Sequence, residues 1–132
     1  AMNTGHEGSL TTVHSNTSQD ALGRLEAMVV MSGLPLTVDV IRGYFVSAIH
    51  LIVQTDRLPD GSRKVINISE VTQVENEVRV VDIFSYQSEG HGSNGELIGY
   101  FSSTGYLPQI LKRFSYYGIP FNREWFQKGR CD

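Results

Sequence analysis

The spacing of apolar residues changes near His50, from the period of amphipathic helices to that of β-strands, and this change constrains the fold more than any other feature of the sequence. Before His50, apolar residues recur at the three- and four-residue spacing of amphipathic helices. From Leu51 onward, β-branched and aromatic runs are separated by turn residues such as Pro59, Asp60 and Gly61. The pattern predicts an α/β protein with its helices early and a β-rich region after them.

Two helices are predicted between Thr17 and Ile49. The first is capped by Thr17 or Ser18 and stopped at Gly33, and the second is capped by Thr37. Both are amphipathic, so each needs another element to cover its apolar stripe. The positions expected to face the core are Leu22, Leu25, Met28 and Val29 in the first helix and Val38, Ile41, Phe45, Ala48 and Ile49 in the second.

The region after the helices is expected to be a β-meander that ends in a helix. Residues 63–75 and 77–86 are β-rich runs on either side of a polar tip, and residues 96–101 predict another short strand. Residues 88–95 are polar and rich in glycine, which favours a flexible loop. Residues 107–117 have the pattern of a final helix.

A short strand is also predicted before the first helix, at residues 10–14, where Thr and Val predominate. Its length suits a buried strand of a parallel sheet, and its end would deliver His14 to the carboxyl edge of that sheet. Open α/β sheets bind ligands at this edge. His6 lies just before the same strand, so the two histidines bracket it.

Size and charge exclude several classes of protein. The chain has 132 residues and is expected to form one domain, with core elements at about 1–57, the β-rich region at about 58–101 and the helix and tail at about 102–132. The formal net charge of −3 does not favour nucleic acid as a partner. No apolar run is long enough for a membrane span and no signal peptide is evident, which favours a cytoplasmic location.

The glycine stretch from Gly90 to Gly95 matches G-x-G-x-x-G, but its context argues against a nucleotide site. Such a pattern binds phosphates when it joins a strand to a helix N-terminus, and here a strand is expected to follow. At P-loop spacing, Glu96 and Leu97 stand where Lys and Ser or Thr are needed. No G-x-x-x-x-G-K-[ST] occurs elsewhere in the chain, so the chain is expected not to hold a triphosphate on its own.

The histidines leave two interpretations open. His6 and His14, with Glu7 and Asp20 as neighbouring acids, supply too few ligands for a metal site, so no metal is predicted. On residue chemistry alone, the main interpretation is that both are loop histidines hydrogen-bonded to the backbone. A small His-ligated metalloprotein is a weaker hypothesis. The many aromatic residues of the C-terminal third are accompanied by few basic residues, which favours packing or a protein interface over nucleic acid.

The N-terminal stretch resembles the histidine box of the type II/type IV secretion and pilus-assembly ATPases. The residues that carry the resemblance are T-G-H at 4–6, S-L-T-T-V-H-S-N at 9–16, A-L at 21–22 and R-L at 24–25. The similarity is greatest to the branch that serves tight-adherence (Flp-type) pili. Further co-linear matches lie at residues 31–34, 41–42, 47–54, 60–65 and 68–72.

This resemblance implies a hexameric motor with a RecA-like ATPase core at the cytoplasmic face of the inner membrane. The P-loop and the acidic segments that hold ATP and Mg²⁺ lie upstream of the histidine box in such proteins. The chain would therefore be the C-terminal portion of a RecA-like P-loop NTPase core that lacks the P-loop strand, inactive alone and binding no cofactor by itself. Its partners would be further copies of itself and the platform proteins of the pilus or secretion system.

The resemblance implies three candidate site residues. His14 matches the box histidine that reaches the γ-phosphate region, and His6 matches its neighbour at the start of the box; these two are the candidate catalytic residues. Arg24 matches an arginine of the following helix and is a candidate for the ATP region. The alternative is a stand-alone interaction module without catalytic activity. Because residues 10–14 would leave an unpaired strand edge, the chain is also expected to dimerise or swap elements.

Overall fold

A computed structural model describes residues 8–75 and 77–131, which form a mixed α/β fold with a five-stranded antiparallel sheet. The strands lie in the sheet in chain order, as expected of a meander. The elements are α1 (Ser18–Met31), α2 (Val38–Ala48), β1 (Leu51–Arg57), β2 (Arg63–Val74), β3 (Glu77–His91), β4 (Leu97–Ser103), α3 (Leu111–Tyr116), a 3₁₀ turn (Arg123–Phe126) and β5 (Gly129–Arg130).

Helix α1 begins and ends where the sequence predicts. Thr17 is the N-cap, and its side-chain oxygen accepts a hydrogen bond of 3.0 Å from the backbone N–H of Asp20. Gly33 follows the helix with a φ of 74°, a conformation that glycine adopts without a steric penalty. Leu22 is buried as predicted, whereas Met28 is 47% exposed, so the prediction that Met28 faces the core is wrong.

Helix α2 is likewise capped by the predicted residue, Thr37, whose side chain accepts a hydrogen bond of 3.4 Å from the N–H of Val40. Ile41 is 2% exposed and is the best-buried position of the predicted stripe. Val38, one turn earlier, is 39% exposed. The buried stripe therefore starts at Ile41, and the first turn of α2 contributes mainly the cap.

The predicted strand at residues 10–14 is absent. Residues 8–15 have no regular secondary structure, and the side chain of Leu10 is 98% exposed. A β-strand requires a neighbour that accepts and donates its backbone hydrogen bonds, and none of the described strands pairs with this segment. Thr and Val alone do not create such a partner. The edge strand on which the dimer expectation rested is thus missing, and dimerisation stays a prediction.

The predicted flexible loop at residues 88–95 is mostly strand. β3 continues to His91, and it pairs with β4 through Ser88 opposite Gly99, with a bulge before Gly90. A Cβ atom at Gly99 would collide with the carbonyl of Gln87 and the hydroxyl of Tyr86. These glycines therefore permit a bulge and a close approach of two backbones rather than a loop. Only residues 92–96 form the connection.

Helix α3 is shorter than residues 107–117, because its start is fixed by a side chain from the sheet. The buried carboxylate of Glu70 accepts hydrogen bonds from the backbone N–H groups of Gln109 and Ile110, immediately before the helix. The helix ends at Tyr116, and Gly118, with a φ of 68°, follows as a C-terminal stop. Among the described helices, none combines the length and apolarity needed to cross a bilayer.

The described residues form two compact units. The first comprises the residues up to His50 together with Val71–Val80, and its buried residues include Leu22 and Ile41. The second comprises Leu51–Glu70 and the residues from Val81 onward, and its buried residues include Ile83. The division into one domain with three sections stays a prediction.

Candidate functional site

His14 and Arg24 line the same small cavity of the first unit, although His14 precedes α1 and Arg24 lies within it. The cavity has a volume of about 370 Å³, and its other lining residues are Ser15, Asn16 and Asp20. Ligand pockets usually measure roughly 300–1,000 Å³. This cavity is at the lower end of that range, which suits a small polar group better than a whole nucleotide.

The local sequence explains why these side chains meet. The Thr17 cap starts α1 three residues after His14, so the histidine lies beside the N-terminal end of the helix. Asp20 and Arg24 are four residues apart on α1, which places them on one face, one turn above the other. The helix thus presents a carboxylate and a guanidinium to the surface that His14 shares.

The chemistry of the cavity suits an anionic oxygen group. Two of its side chains, the Arg24 guanidinium and the His14 imidazole, donate hydrogen bonds and carry or can acquire positive charge. The adjacent N-terminal end of α1 adds a partial positive charge. His14 is exposed, so core packing does not prevent its ring from reaching a ligand. Asp20 is the single carboxylate of the lining and opposes an anion.

The other predicted histidine cannot be located. His6 and Glu7 lie outside the described residues, so the participation of His6 in the site stays a prediction. Within residues 8–75 and 77–131, no group of three or more His, Cys, Asp and Glu side chains is arranged to hold a metal ion. The metal hypothesis depends on His6 and Glu7, and it therefore stays untested.

A second, larger cavity of the first unit contains an ion pair that sequence reasoning missed. Arg42 of α2 donates to Glu26 of α1 from both Nε, at 2.8 Å, and Nη2, at 3.3 Å. The hydrogen bond that Arg42 donates to Glu26 is the main cause of a raised pKa for Arg42. The resemblance to the secretion ATPases at residues 41–42 was the signal available for Arg42. No sequence rule, however, pairs Arg42 with a residue on the preceding helix.

The charge of this larger cavity argues against a phosphate ligand. Its volume is about 900 Å³, and carboxylates outnumber cations in its lining. Phosphate oxygens would be repelled by such an excess of negative charge. The smaller cavity at His14 and Arg24 is therefore the better candidate for contact with a phosphoryl group. The charged lining residues are Asp20, Glu26, Asp39, Glu77 and Arg42.

The glycine stretch is not built as a nucleotide site. It connects β3 to β4, so a strand rather than a helix follows it. The N–H of Asn94 donates to the Glu96 side chain at 3.0 Å, and the N–H of Gly92 donates to the Glu96 carbonyl at 2.8 Å. Two amides that would face a phosphate in a P-loop are thus occupied by Glu96, which supports the interpretation made from the sequence.

Comparison with known proteins places the chain in a family. The model of the family described as type II/IV secretion system protein matches residues 1–92 of the chain. This match covers the two helices, β1, β2 and β3, and it includes the cavity formed by His14 and Arg24. The chain belongs to the type II/IV secretion system protein family.

Curated relatives agree with this assignment. The chain is 40% identical over 75 residues to the conjugal transfer protein TrbB of Rhizobium radiobacter, which covers 57% of the chain and 21% of the relative. It is 42% identical over 69 residues to the type IV secretion system protein VirB11 of Bartonella quintana, covering 51% and 19%. It is 30% identical over 84 residues to a putative conjugal transfer protein of Mycobacterium tuberculosis, covering 64% and 23%. The chain spans about a fifth of the length of the curated relatives it matches.

Proposed function

We propose that the chain is the C-terminal part of the RecA-like domain of a hexameric ATPase that powers pilus assembly or protein secretion across the bacterial inner membrane. Two findings support this proposal. The chain belongs to the type II/IV secretion system protein family, and it covers only about a fifth of the length of its curated relatives. The histidine-box residues at 4–16 favour the tight-adherence pilus branch. The proposed location is cytoplasmic and peripheral to the inner membrane, against the platform proteins of the system.

The observation that carries the proposal is the shared cavity of His14 and Arg24. An imidazole at this position donates a hydrogen bond to a γ-phosphate oxygen while ATP is bound and loses that partner after hydrolysis. Such a differential contact biases a ring between two conformations. Catalysis of phosphoryl transfer is mostly positioning and charge stabilisation, so His14 acts as a sensor or stabiliser rather than as the base.

ATP and Mg²⁺ belong to the longer protein in this proposal. The residues that would hold the triphosphate and the metal lie upstream of the histidine box, and the chain itself contains no G-x-x-x-x-G-K-[ST]. Within the described residues, the donors that face the small cavity suit one terminal phosphoryl group, not an entire nucleotide. The 132-residue chain alone is therefore expected to be inactive as an ATPase.

The experiment is a steady-state ATPase measurement on the longer gene product that contains this chain, with His14→Ala compared with the parent. Loss of a transition-state hydrogen bond should lower kcat by about 100-fold. Arg79→Ala is the matched control, because Arg79 is an exposed cation on β3 that lines neither cavity. Near-parental ATPase activity of His14→Ala, or ATP hydrolysis by the 132-residue chain alone, would overturn the proposal.

A stand-alone interaction module is the second candidate. It is favoured by the exposed aromatic residues of the second unit, where Tyr116 is 83% exposed and Trp125 is 60% exposed. The gene separates the two candidates: an open reading frame with G-x-x-x-x-G-K-[ST] that runs into Met2 supports the motor. A reading frame without this motif supports the interaction module.

A further inference from the structure

Positive charge and exposed aromatic rings are concentrated in the last part of the second unit. Residues 104–131 contain five of the chain's 11 Lys and Arg residues but one of its 14 Asp and Glu residues, Glu124. The whole chain carries a net charge of −3, so this segment is opposite in sign to the rest. Arg130 of this segment is paired with Glu89 at 3.7 Å, and the remaining net positive charge favours an anionic partner at residues 104–131 over the rest of the chain.

Helix α3 arranges these groups on one surface. Leu111 is buried, and the ring of Phe114 packs at 6.2 Å against Phe121, so these residues mark the inner side. The opposite side carries four exposed side chains, which we call the outer face of α3. Counting 100° per residue from Lys112, and extending the count by one residue to the C-cap Tyr117, the others lie at roughly 40°, 100° and 140°. In that order they are Lys112, Tyr116, Arg113 and Tyr117.

Cations and aromatic rings thus alternate around the outer face. Tyr116 is 83% exposed and Tyr117 is 52% exposed, and their rings meet edge to face at 85°. Exposed apolar side chains continue beyond the helix, where Ile119 is 47% exposed and Trp125 is 60% exposed. Because each ring has a cation beside it, a partner that covers the rings must also cover the charges.

We propose that residues 104–131 dock on an anionic lipid bilayer through the outer face of α3. The headgroup layer accommodates both kinds of side chain at once: Tyr and Trp rings settle at its apolar boundary, and Lys and Arg extend toward the phosphates. Basic residues near such a surface are attracted by the negative potential of anionic lipids. Helix α3 lies on the bilayer and does not cross it.

Two other partners fit the same surface less well. Protein interfaces are enriched in Tyr, Trp and Arg but depleted of Lys, and the outer face of α3 includes Lys112. Single-stranded nucleic acid stacks its bases on exposed ring faces, and the 85° angle between Tyr116 and Tyr117 does not provide two parallel platforms. The aliphatic side chain of Ile119 adds apolar contact with lipid and offers no stacking surface to a base.

The test uses the 132-residue chain with vesicles of phosphatidylcholine alone or mixed with phosphatidylglycerol. Trp125 is the chain's single tryptophan, so a blue shift of its emission reports directly on the segment. We expect the shift and co-flotation with the anionic vesicles only, and reversal in about 0.5 M NaCl, where screening is short-ranged. No ATPase measurement is involved, so this result is independent of the proposed motor function.

Matched charge variants locate the surface. Lys112→Glu with Arg113→Glu should weaken vesicle partitioning by about tenfold or more. Arg57→Glu with Arg79→Glu changes the net charge equally at exposed positions outside the segment and should leave most of the partitioning intact. If circular dichroism shows that the first pair does not fold, Lys112→Gln with Arg113→Gln replaces it.

Three results would overturn the proposal. The first is an absence of binding to anionic vesicles. The second is an equal loss of binding in both double variants, which would show that net charge alone decides. The third is a shift of Trp125 emission by a single-stranded oligonucleotide at lower concentration than by vesicles, with the same loss in the Lys112 and Arg113 variant, which would assign the face to nucleic acid.

Discussion

The carboxylate of Glu70, on β2, accepts a hydrogen bond of 2.7 Å from the hydroxyl of Tyr106, 36 residues further along the chain. The same carboxylate accepts from the backbone N–H groups of Gln109, at 2.9 Å, and Ile110, at 2.7 Å. Glu70 is 3% exposed, so these three donors replace the water that a carboxylate would otherwise bind. One buried acid thus determines where the chain enters α3.

Glu70→Gln is therefore expected to lower the free energy of unfolding by about 2 kcal/mol. The side-chain amide of glutamine has an NH₂ donor in place of one carboxylate oxygen. This NH₂ group faces other donors, so at least one of the part-buried N–H groups of Gln109 and Ile110 loses its acceptor. Urea denaturation followed by circular dichroism measures the change. Tyr106→Phe, which removes a single donor, should cost about 1 kcal/mol and is the control. Equal stability of Glu70→Gln and the parent chain would contradict the assigned network.

Asp60 should make the stability depend on pH. Its pKa is lowered from 3.8 to about 2, chiefly by the hydroxyl of Ser62 and then by the N–H groups of Leu97 and Ser62. A lowered pKa in the folded state means that the ionised group stabilises the fold above pH 3.8, and that this stabilisation is lost as pH falls toward 2. Asp60→Asn removes it at every pH.

The denaturation midpoints of the parent chain and Asp60→Asn should therefore differ at pH 7 and converge as the pH approaches 2. Comparing the two chains removes the contribution of the other carboxylates, which titrate in both. Ser62→Ala should reduce the difference, because its hydroxyl donates to Asp60 at 2.6 Å. A gap that is the same at pH 7 and at pH 2.5 would show that Asp60 does not titrate as described.

Two helical glycines are expected to destabilise the parent chain. Gly23 in α1 and Gly43 in α2 have ordinary backbone angles, and a Cβ atom at either position would meet no atom within 4 Å. Each change to alanine should raise the free energy of unfolding by about 0.5–1 kcal/mol, through a smaller loss of backbone entropy. Gly99→Ala should have the opposite sign, because its Cβ would collide with the carbonyl of Gln87. Thermal denaturation distinguishes the two outcomes.

The ion pair of Glu26 and Arg42 should couple α1 and α2 in a salt-dependent manner. Its side chains are 24% and 50% exposed, so water and ions reach the pair and reduce its contribution. A double-mutant cycle with Glu26→Gln and Arg42→Gln should give a small favourable coupling that declines in 1 M NaCl. Coupling that is unchanged by salt would indicate that the pair acts by packing instead of by charge.

Local rules predicted some elements well and others poorly. Thr17, Thr37 and Gly33 act within a few residues of their own position, so the sequence places the ends of α1 and the start of α2 correctly. The strand at residues 10–14 and the loop at 88–95 were wrong, because pairing and close approach depend on residues elsewhere in the chain. The candidate site shows the same difference. His14 and Arg24 were predicted from the resemblance to a family, whereas the ion pair of Glu26 and Arg42 depends on how α1 packs against α2 and could not be predicted from local sequence.

The order of strands in the sheet has a consequence for folding. β1 to β4 each lie beside the strand that precedes or follows them in the chain, and the turns between them are short. Such a topology has low contact order, so each strand can pair soon after the ribosome releases it. β5 also lies beside the strand that precedes it, but residues 104–128 separate Gly129 and Arg130 from their partners Ser103 and Ser102 of β4, so this pairing forms only after that long connection has been made. β5, the last strand to join this sheet, therefore belongs to the same segment as the outer face of α3.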